Sequence, residues 1–312
     1  MPFKVTILGC NSAIPTTKRK PTAQLLNVAE RFFLIDCGEG TQLQLRKYKI
    51  KVQRITHVFI SHLHGDYYFG LIGLISTMHL LGREKELHIH GHPKLKEIIN
   101  VQLEASNTVL RYPLFFHPFS FEQSEIILED DQLTVETIPL NHSVPCCGFL
   151  FKEKQLNRRM KREKIRKHKI PLATIPEIKA GADHTLSNGE VISHWELTNP
   201  AVKARSFAFC SDTAYHEAII PQIKGVDLLY HEATFLEDLK ERAEQTKHST
   251  AKEAATIAHK AGVIKLIIGH YSQRYSDLQP LLDEAQSVFE DTELGVEGEI
   301  YEIERTYDLA SR

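Results

Sequence analysis

Residues 61–70 read Ser61-His62-Leu63-His64-Gly65-Asp66-Tyr67-Tyr68-Phe69-Gly70, directly after the apolar run Val58-Phe59-Ile60. Three of these side chains can bind a metal ion, and they lie at positions i, i+2 and i+4: His62, His64 and Asp66. The apolar run predicts a buried strand, and this spacing brings the three side chains to one side of a strand or of the loop just beyond it. Imidazole and carboxylate suit zinc, and a catalytic zinc needs only three protein ligands. The segment therefore predicts a metal site.

Three further candidate ligands follow predicted strands elsewhere in the chain. They are His142 after residues 133–140, Asp212 after residues 206–210, and His270 after residues 265–268. Active sites of α/β proteins gather at the carboxyl ends of strands, where loops point side chains into one crevice. One histidine among the 17 in the chain carries little weight, but several strand-end positions together indicate a single centre.

Predicted strands and helices alternate along most of the chain. The strands are expected at residues 4–8, 31–35, 87–90, 125–140 (a pair), 206–210, 226–230 and 265–268. The helices are expected at residues 41–48, 71–81, 94–103 and 249–262. In the last of these, Thr250 and Glu253 fit a capping box, and Gly262 fits a C-terminal stop. This order predicts two similar α/β halves packed sheet against sheet.

Residues 152–200 interrupt this alternation. Between Lys152 and Lys169 the sequence has ten basic and two acidic residues, a local charge of +8, whereas the rest of the chain carries −10. The segment later contains Asn188-Gly189, a hairpin signal. Because few of its residues are apolar, we expect it to protrude as an insertion from a single catalytic domain that spans residues 1–312.

The composition favours a soluble cytoplasmic protein. Hydrophobic residues make up 42% of the chain and charged residues 25%, as in ordinary globular proteins. The five cysteines form no CxxC pair, which argues against a disulfide framework or a zinc ribbon and favours a reducing compartment. The first nine residues are too few for a signal peptide, and no apolar stretch approaches the roughly 20 residues of a membrane span. We therefore expect no membrane partner.

The combination of these segments resembles the metallo-β-lactamase superfamily and, more closely, its ribonuclease Z family. The superfamily motif HxHxDH corresponds to residues 62–67. Segments more specific to ribonuclease Z correspond to residues 36–42, 211–213, 231–235 and 247–250. The resemblance covers almost the whole chain. It implies an α/β fold, namely an αββα sandwich of the metallo-β-lactamase type with a protruding arm at residues 152–200.

The resemblance also implies two zinc ions and the residues that hold them. The ligands would be His62, His64, His142 and Asp212 for the first ion, and Asp66, Asp212 and His270 for the second, with Asp212 bridging. Asp66 would also orient the attacking water and accept its proton. His248 would contact the scissile phosphate or assist the departing oxygen, which suits the anionic transition state of phosphodiester cleavage. The alternative is that His248 is only a residue at the start of the following helix.

One position departs from the family pattern. The last residue of the motif is histidine in the family, a ligand of the second zinc, and here it is Tyr67. A neutral phenol is a poor zinc ligand, so we expect the second site to bind more weakly. Asp66, Asp212 and His270 can still hold an ion there, and Mn²⁺ or Mg²⁺, which tolerate oxygen ligands, can take the place of zinc.

The basic insertion corresponds to the arm with which ribonuclease Z clamps tRNA. The resemblance implies that the arm reaches its substrate from the partner subunit of a homodimer. The basic residues that we expect to bind phosphates are Arg158, Arg159, Lys161 and Arg162. Such contacts give affinity without sequence readout and a steep salt dependence. The alternative is a solvated charged helix with no role in RNA binding.

These observations predict a zinc-dependent endoribonuclease. It would remove the 3′ trailer from precursor tRNA, leaving a 3′-hydroxyl on the tRNA and a 5′-phosphate on the trailer, and no DNA partner is expected. One alternative is a hydrolase of the same fold that acts on small or cyclic phosphodiesters, against which the basic arm argues. Another is a non-catalytic RNA-binding relative with a weakened second metal site, for which Tyr67 is the only support.

Overall fold

Two seven-stranded β-sheets form the larger part of the computed structural model, which describes residues 1–307. The first sheet contains β1 (Phe3–Gly9), β2 (Ala23–Val28), β3 (Arg31–Ile35), β4 (Ile55–Phe59), β5 (Leu87–Gly91), β6 (Leu114–Pro118) and β18 (Ile300–Glu302). The second contains β7 (Ile126–Glu129), β8 (Leu133–Pro139), β9 (Cys147–Glu153), β14 (Ser206–Cys210), β15 (Leu228–Glu232), β16 (Lys265–Gly269) and β17 (Thr292–Leu294). Their orders are β18-β1-β2-β3-β4-β5-β6 and β17-β16-β15-β14-β9-β8-β7.

Helices cover the outer face of each sheet. They are α1 (Thr41–Lys47), α2 (Gly65–Tyr68), α3 (Leu71–Leu80), α4 (Lys94–Ala105), α8 (Lys240–Thr246), α9 (Ala251–Ala261) and α10 (Gln279–Gln286). Apolar residues of α1, α3 and α4 form one core cluster with the first sheet, and α9 and α10 pack on the second. The predicted αββα sandwich is therefore confirmed. None of the helices among residues 1–307 is long and apolar enough to cross a membrane.

Aromatic side chains fill the space between the sheets. Phe33 and Phe59 of the first sheet meet Phe149 and Phe151 of the second, with ring centroids 5.4 to 6.0 Å apart. The neighbouring Leu34 faces the helices instead, because successive side chains of a strand point to opposite faces. Both faces of the sheet are thus buried, and a buried pair of aromatic rings contributes about 0.5–1.5 kcal/mol beyond its area.

Parallel strands bring the loops of both sheets to their carboxyl ends. Strands β3 to β6 are parallel neighbours, and so are β14 to β17. Because the carboxyl ends of parallel strands share one sheet edge, the loops after β4, β14 and β16 can carry a common site. His62, Asp212 and His270 lie in these loops.

Most predicted elements are present within a few residues of their expected bounds. Helix α9 has the predicted capping box between Thr250 and Glu253, and Gly262 ends it in the left-handed conformation. Five strands of the two sheets had no counterpart in the sequence analysis: β2, β6, β9, β17 and β18. β17 and β18 have only three residues each, and β6 is largely exposed, which weakens its apolar signal.

Residues 153–205 form a second compact unit together with residues 304–307. Its elements are β10 (Arg159–Met160), α5 (Arg162–Lys167), α6 (Ile175–Ala180), β11 (His184–Thr185), β12 (Val191–Ile192), α7 (His194–Leu197) and β13 (Thr198–Asn199). Strands β11 and β12 form the hairpin predicted from Asn188-Gly189. This unit has its own small core, formed by Ile170, Ile178, Ile192 and Leu197, so it buries more than its composition suggested.

Candidate metal centre

A glycine turn supports the loop that carries the first candidate ligands. A Cβ on Gly38 would lie 2.4 Å from the backbone oxygen of Asp66, and a Cβ on Gly70 would lie 2.2 Å from the oxygen of Gly38. Only glycine allows these backbones to approach so closely. The turn therefore fixes the backbone of Asp66 relative to β3.

Four side chains from distant parts of the chain converge on one point. The ligand atoms of His62, His64, His142 and Asp212 all lie within 4.8 Å of one another. Nδ1 of His64 lies 3.1 Å from Nε2 of His62 and 3.2 Å from Nε2 of His142. Oδ2 of Asp212 lies 3.7 Å from Nε2 of His62 and 3.7 Å from Nε2 of His142. The structure thus brings together the residues that the sequence analysis assigned to the first ion.

The other nitrogens of these rings are held by the protein. Nδ1 of His142 donates to the backbone oxygen of Lys247 at 2.9 Å, and Nδ1 of His62 lies 3.1 Å from the hydroxyl of Ser61. Because a carbonyl oxygen can only accept, Nδ1 of His142 carries the proton and its Nε2 is unprotonated and directed at the cluster. Burial and the neighbouring histidines lower the pKa of His62 well below its usual value, so this ring is neutral. Three convergent imidazole nitrogens and a carboxylate are a donor set that fits zinc.

A second group of donors shares the Asp212 carboxylate. Oδ1 of Asp212 lies 3.3 Å from Nε2 of His270, and Oδ2 of Asp66 lies 3.8 Å from the same nitrogen. Nδ1 of His270 is held by the hydroxyl of Thr234 at 2.9 Å. Nε2 of His270 is buried and makes no hydrogen bond of acceptable geometry. A buried nitrogen of this kind is costly unless a cation satisfies it, so this group also fits a metal ion.

Tyr67 lies between the two groups of donors. Its ring is buried, 4.1 Å from the ring of His62 and 5.7 Å from that of His270, measured between centroids. Its hydroxyl donates a hydrogen bond to Oδ1 of Asp212. Burial and then the Asp212 and Asp66 carboxylates raise the pKa of Tyr67 well above its usual value, so the phenol keeps its proton. Tyr67 therefore orients Asp212 and supplies no anionic ligand.

His248 stands at the edge of the cluster with a buried carboxylate behind it. Nδ1 of His248 donates to Oε1 of Glu232 at 2.8 Å, and a ring nitrogen of His248 also lies near Asp212 and His270. Glu232 is fully buried and accepts further hydrogen bonds from the backbone of Thr213 and Thr234. Burial opposes charge on His248, but Glu232 and Asp212 outweigh it and raise the pKa to about 9.

Two positioning contacts were not predicted from the sequence. The sequence analysis included Glu232 only in a family segment and gave it no role, and it did not consider the backbone of Ala13, which donates to Oδ2 of Asp66 at 3.0 Å. Burial would raise the pKa of Asp66, but the contacts with His270 and Ala13 lower it below its usual value. The available signal for Glu232 was its position, since it is an acidic residue two places after the apolar run Leu228-Leu229-Tyr230.

The basic residues of the second unit divide into inward and outward groups. Arg158 packs inward: its guanidinium lies 3.8 Å above the ring of Trp195, and its Nε donates to the hydroxyl of Thr198. It is 8% exposed and serves the unit's own packing. Lys161 is half-buried and donates to the backbone oxygen of Glu196. Arg159 and Arg162 are exposed.

Two bacterial proteins named ribonuclease Z are similar to this chain over almost its whole length. The protein from Bacteroides fragilis strain ATCC 25285 is 48% identical over 295 residues, which cover 95% of this chain and 97% of that protein. The protein from Parabacteroides distasonis strain ATCC 8503 is 49% identical over 296 residues, with the same coverage of 95% and 97%. A family model described as anti-Pycsar protein Apyc1 matches residues 3–169.

Solved structures show the same fold. The short form of human tRNase Z is 25% identical, with a TM-score of 0.70, and the match covers 96% of this chain and 99% of that chain. The metallo-β-lactamase fold protein YhfI from Bacillus subtilis is 20% identical, with a TM-score of 0.68 and coverage of 97% and 100%. These matches confirm the predicted metallo-β-lactamase type of the sandwich.

Proposed function

This chain belongs to the ribonuclease Z family, and its residues 3–169 also to the family of the anti-Pycsar protein Apyc1; from this premise we propose how it cleaves its substrate. It is a metal-dependent endoribonuclease that processes the 3′ end of precursor tRNA. The cut leaves a 3′-hydroxyl on the tRNA and a 5′-phosphate on the trailer. All five cysteines are buried thiols, which suits a reducing cytoplasm.

The convergence of three imidazole nitrogens and one carboxylate carries this proposal. His62, His64, His142 and Asp212 would hold a zinc ion. Asp66, Asp212 and His270 would hold a second divalent ion, zinc or, because oxygen ligands prevail there, Mn²⁺ or Mg²⁺. When bound, such ions lower the pKa of water and stabilise negative charge on phosphoryl oxygens.

Asp66 and His248 would act on the reacting atoms from different elements. The Ala13 backbone fixes one carboxylate oxygen of Asp66, which lets Asp66 orient the attacking water and take up its proton. Glu232 orients His248, because its carboxylate accepts a hydrogen bond from Nδ1 of His248. Nε2 of His248 is then directed at the cluster. His248 would contact the scissile phosphate and donate a proton to the departing oxygen. A general acid of this kind contributes about 10²–10⁴-fold to the rate.

The second unit would bind the body of the tRNA. Arg159 and Arg162 are exposed, and they belong to the stretch with a local charge of +8. Contacts with phosphates would add affinity without reading the sequence, as a processing enzyme for many different tRNAs requires. We further propose that the enzyme works as a homodimer, with the arm of one subunit serving the site of the other.

One gel tests the proposal. A 3′-extended tRNA is incubated with the wild type, with Asp66→Ala and with an arm deletion, each supplied with zinc or manganese. Lys152 and Ser206 are cross-strand partners of β9 and β14, so an Asn-Gly turn can replace residues 153–205. We expect a single cut at the trailer junction by the wild type and none by Asp66→Ala.

Bis(p-nitrophenyl) phosphate separates the alternatives. We expect the arm deletion to lose tRNA cleavage and to keep hydrolysis of this small diester. Equal loss of both activities would reject the arm assignment. A wild type that hydrolyses the small diester but leaves the tRNA intact would favour a small-phosphodiester hydrolase, and no activity with either substrate would favour a non-catalytic RNA-binding relative.

A further inference from the structure

Four histidines lie side by side on three neighbouring strands of the first sheet, outside the candidate centre. They are His57 on β4, His88 and His90 on β5, and His117 on β6. The strand register places His57 opposite His88 and His90 opposite His117. Neither the sequence analysis nor the proposed mechanism gives these residues a role. We call them the histidine block.

The histidine block consists of two hydrogen-bonded pairs stacked on each other. Nδ1 of His57 lies 3.0 Å from Nε2 of His90, and Nδ1 of His88 lies 2.9 Å from Nε2 of His117. The rings of His57 and His88 stack with centroids 4.8 Å apart, and those of His90 and His117 with centroids 4.6 Å apart. Phe59 stacks on His90 at 4.5 Å and closes the block on its inner side.

The two pairs differ in their access to solvent. The inner pair includes His90, which is 2% exposed and lies under Phe59. The outer pair includes His117, which is exposed. His88 lines an open cleft of about 560 Å³ together with His57 and Glu86. An ion and its water ligands can therefore reach the outer pair.

A carboxylate sets the orientation of His88. Nε2 of His88 lies 3.1 Å from Oε1 of Glu86, and a carboxylate at this distance favours a proton on this nitrogen. Nδ1 of His88 then presents a lone pair toward His117. A carboxylate on the far nitrogen is the usual support of a metal-binding histidine, because it fixes the ring and raises its basicity.

We propose that Nδ1 of His88 and Nε2 of His117 bind a divalent transition-metal ion, with water completing its coordination. The proton of their mutual hydrogen bond moves to Nδ1 of His117 when the ion binds. The separation of 2.9 Å is close to the 3.1 and 3.2 Å between the ring nitrogens of the candidate centre. With metal–nitrogen distances of about 2.0 Å, two ligands at right angles are about 2.8 Å apart, as in the tetragonal sites that Ni²⁺ and Cu²⁺ prefer.

Protonation does not compete strongly with an ion in this block. Burial, together with the neighbouring histidines, lowers the pKa of His117 below its usual value and that of His57 to about 4. His57 and His117 are therefore neutral at pH 7, the form that binds metals. Two protein ligands and an exposed position give an affinity well below that of the four-ligand centre.

Isothermal titration with Ni²⁺ tests the site in the intact enzyme. The protein is first saturated with zinc, and the zinc content is measured again afterwards to show that the catalytic centre keeps its metal. We expect the wild type to bind one equivalent of Ni²⁺ beyond the retained zinc, and His117→Asn to lose this equivalent. Glu86→Gln keeps both ligands but removes the orienting charge, and should weaken binding by about tenfold.

His259→Asn is the matched control. His259 is exposed on α9, away from the block, so this variant should bind Ni²⁺ as the wild type does. Circular dichroism checks that His117→Asn is folded, as expected for an exposed position. Equal Ni²⁺ uptake by His117→Asn and the wild type would overturn the proposal. It would also be overturned if the wild type lost as much zinc as it took up Ni²⁺. Neither outcome affects the assignment of the catalytic residues.

Discussion

The hydroxyl of Tyr67 donates a hydrogen bond to Oδ1 of Asp212, the carboxylate oxygen that faces His270. The other oxygen, Oδ2, faces His62 and His142. The Asp212 carboxylate thus serves both groups of donors. Its oxygen on the side of the second group, Oδ1, already accepts a hydrogen bond from the neutral phenol of Tyr67. The resemblance to ribonuclease Z implies a histidine at this position, and Tyr67 supplies a proton donor there instead.

The first prediction concerns metal content. After dialysis, we expect the wild type to retain one equivalent of zinc and less than one equivalent of a second ion, because Tyr67 engages Asp212 and a neutral phenol is a poor metal ligand. Tyr67→His should raise the total toward two equivalents, since it restores the nitrogen ligand of the family. Elemental analysis by mass spectrometry measures both values.

Tyr68→His is the control for this experiment. This variant places a histidine one residue further along α2. The described contacts of Tyr68 do not include Asp212, so the zinc content should not change. Two firmly retained zinc ions in the wild type would show that Tyr67 does not weaken the second site.

The second prediction separates a proton donor from a metal ligand. His248→Ala should lower kcat on precursor tRNA by about 10²–10⁴-fold, because the departing ribose oxygen needs a proton. The loss on bis(p-nitrophenyl) phosphate should be much smaller, since p-nitrophenolate leaves without one. Glu232→Gln should act in the same direction, because Glu232 holds the Nδ1 proton of His248.

Metal analysis of His248→Ala provides the opposing test. A ring nitrogen of His248 lies within ligand distance of Asp212 and His270, so a ligand role is geometrically available. If His248 is a proton donor, the variant keeps its metal. Loss of the second ion in His248→Ala, with equal loss of activity on both substrates, would assign it to the metal instead. His259→Ala should leave metal content and activity unchanged.

The third prediction concerns the exposed charges of the second unit. Arg159→Ala combined with Arg162→Ala should raise KM for precursor tRNA and leave kcat on the small diester unchanged. Each lost phosphate contact should also reduce the slope of log affinity against log salt by about one. Lys94→Ala with Lys96→Ala removes two exposed charges from α4 and should change neither quantity. Identical salt slopes for all variants would exclude a phosphate-binding role for the pair.

The convergence of the candidate ligands could be predicted because their positions follow from local rules. His62, His142, Asp212 and His270 each follow a strand, and strand ends of an α/β fold meet at one edge. The contacts among these residues depend on which strands become neighbours, which no local pattern determines. The hydrogen bond of Tyr67 to Asp212 spans 145 positions in the chain, and that of Ala13 to Asp66 spans 53.

Charge patterns were less informative than strand ends. The basic run identified a segment, but it could not tell an outward arginine from one that packs on its own unit. Arg158 and Arg159 are adjacent in sequence and differ completely in exposure, because only Arg158 lies over Trp195. The histidine block was missed for a similar reason, since His57, His88 and His117 become neighbours only through the register of β4, β5 and β6.

The last prediction uses this difference between the two arginines. Arg158→Ala removes a guanidinium stacked on Trp195 and a hydrogen bond to Thr198. A cation–π contact contributes about 0.5–2 kcal/mol and a hydrogen bond about 1 kcal/mol, so the second unit should lose roughly 1.5–3 kcal/mol of stability. Trp195 is the only tryptophan of the chain, so its fluorescence during urea unfolding reports on this unit. Arg159→Ala, the exposed neighbour, should leave the transition in place. An unchanged midpoint for Arg158→Ala would mean that this stacking does not stabilise the unit, and would leave RNA binding as the role of Arg158.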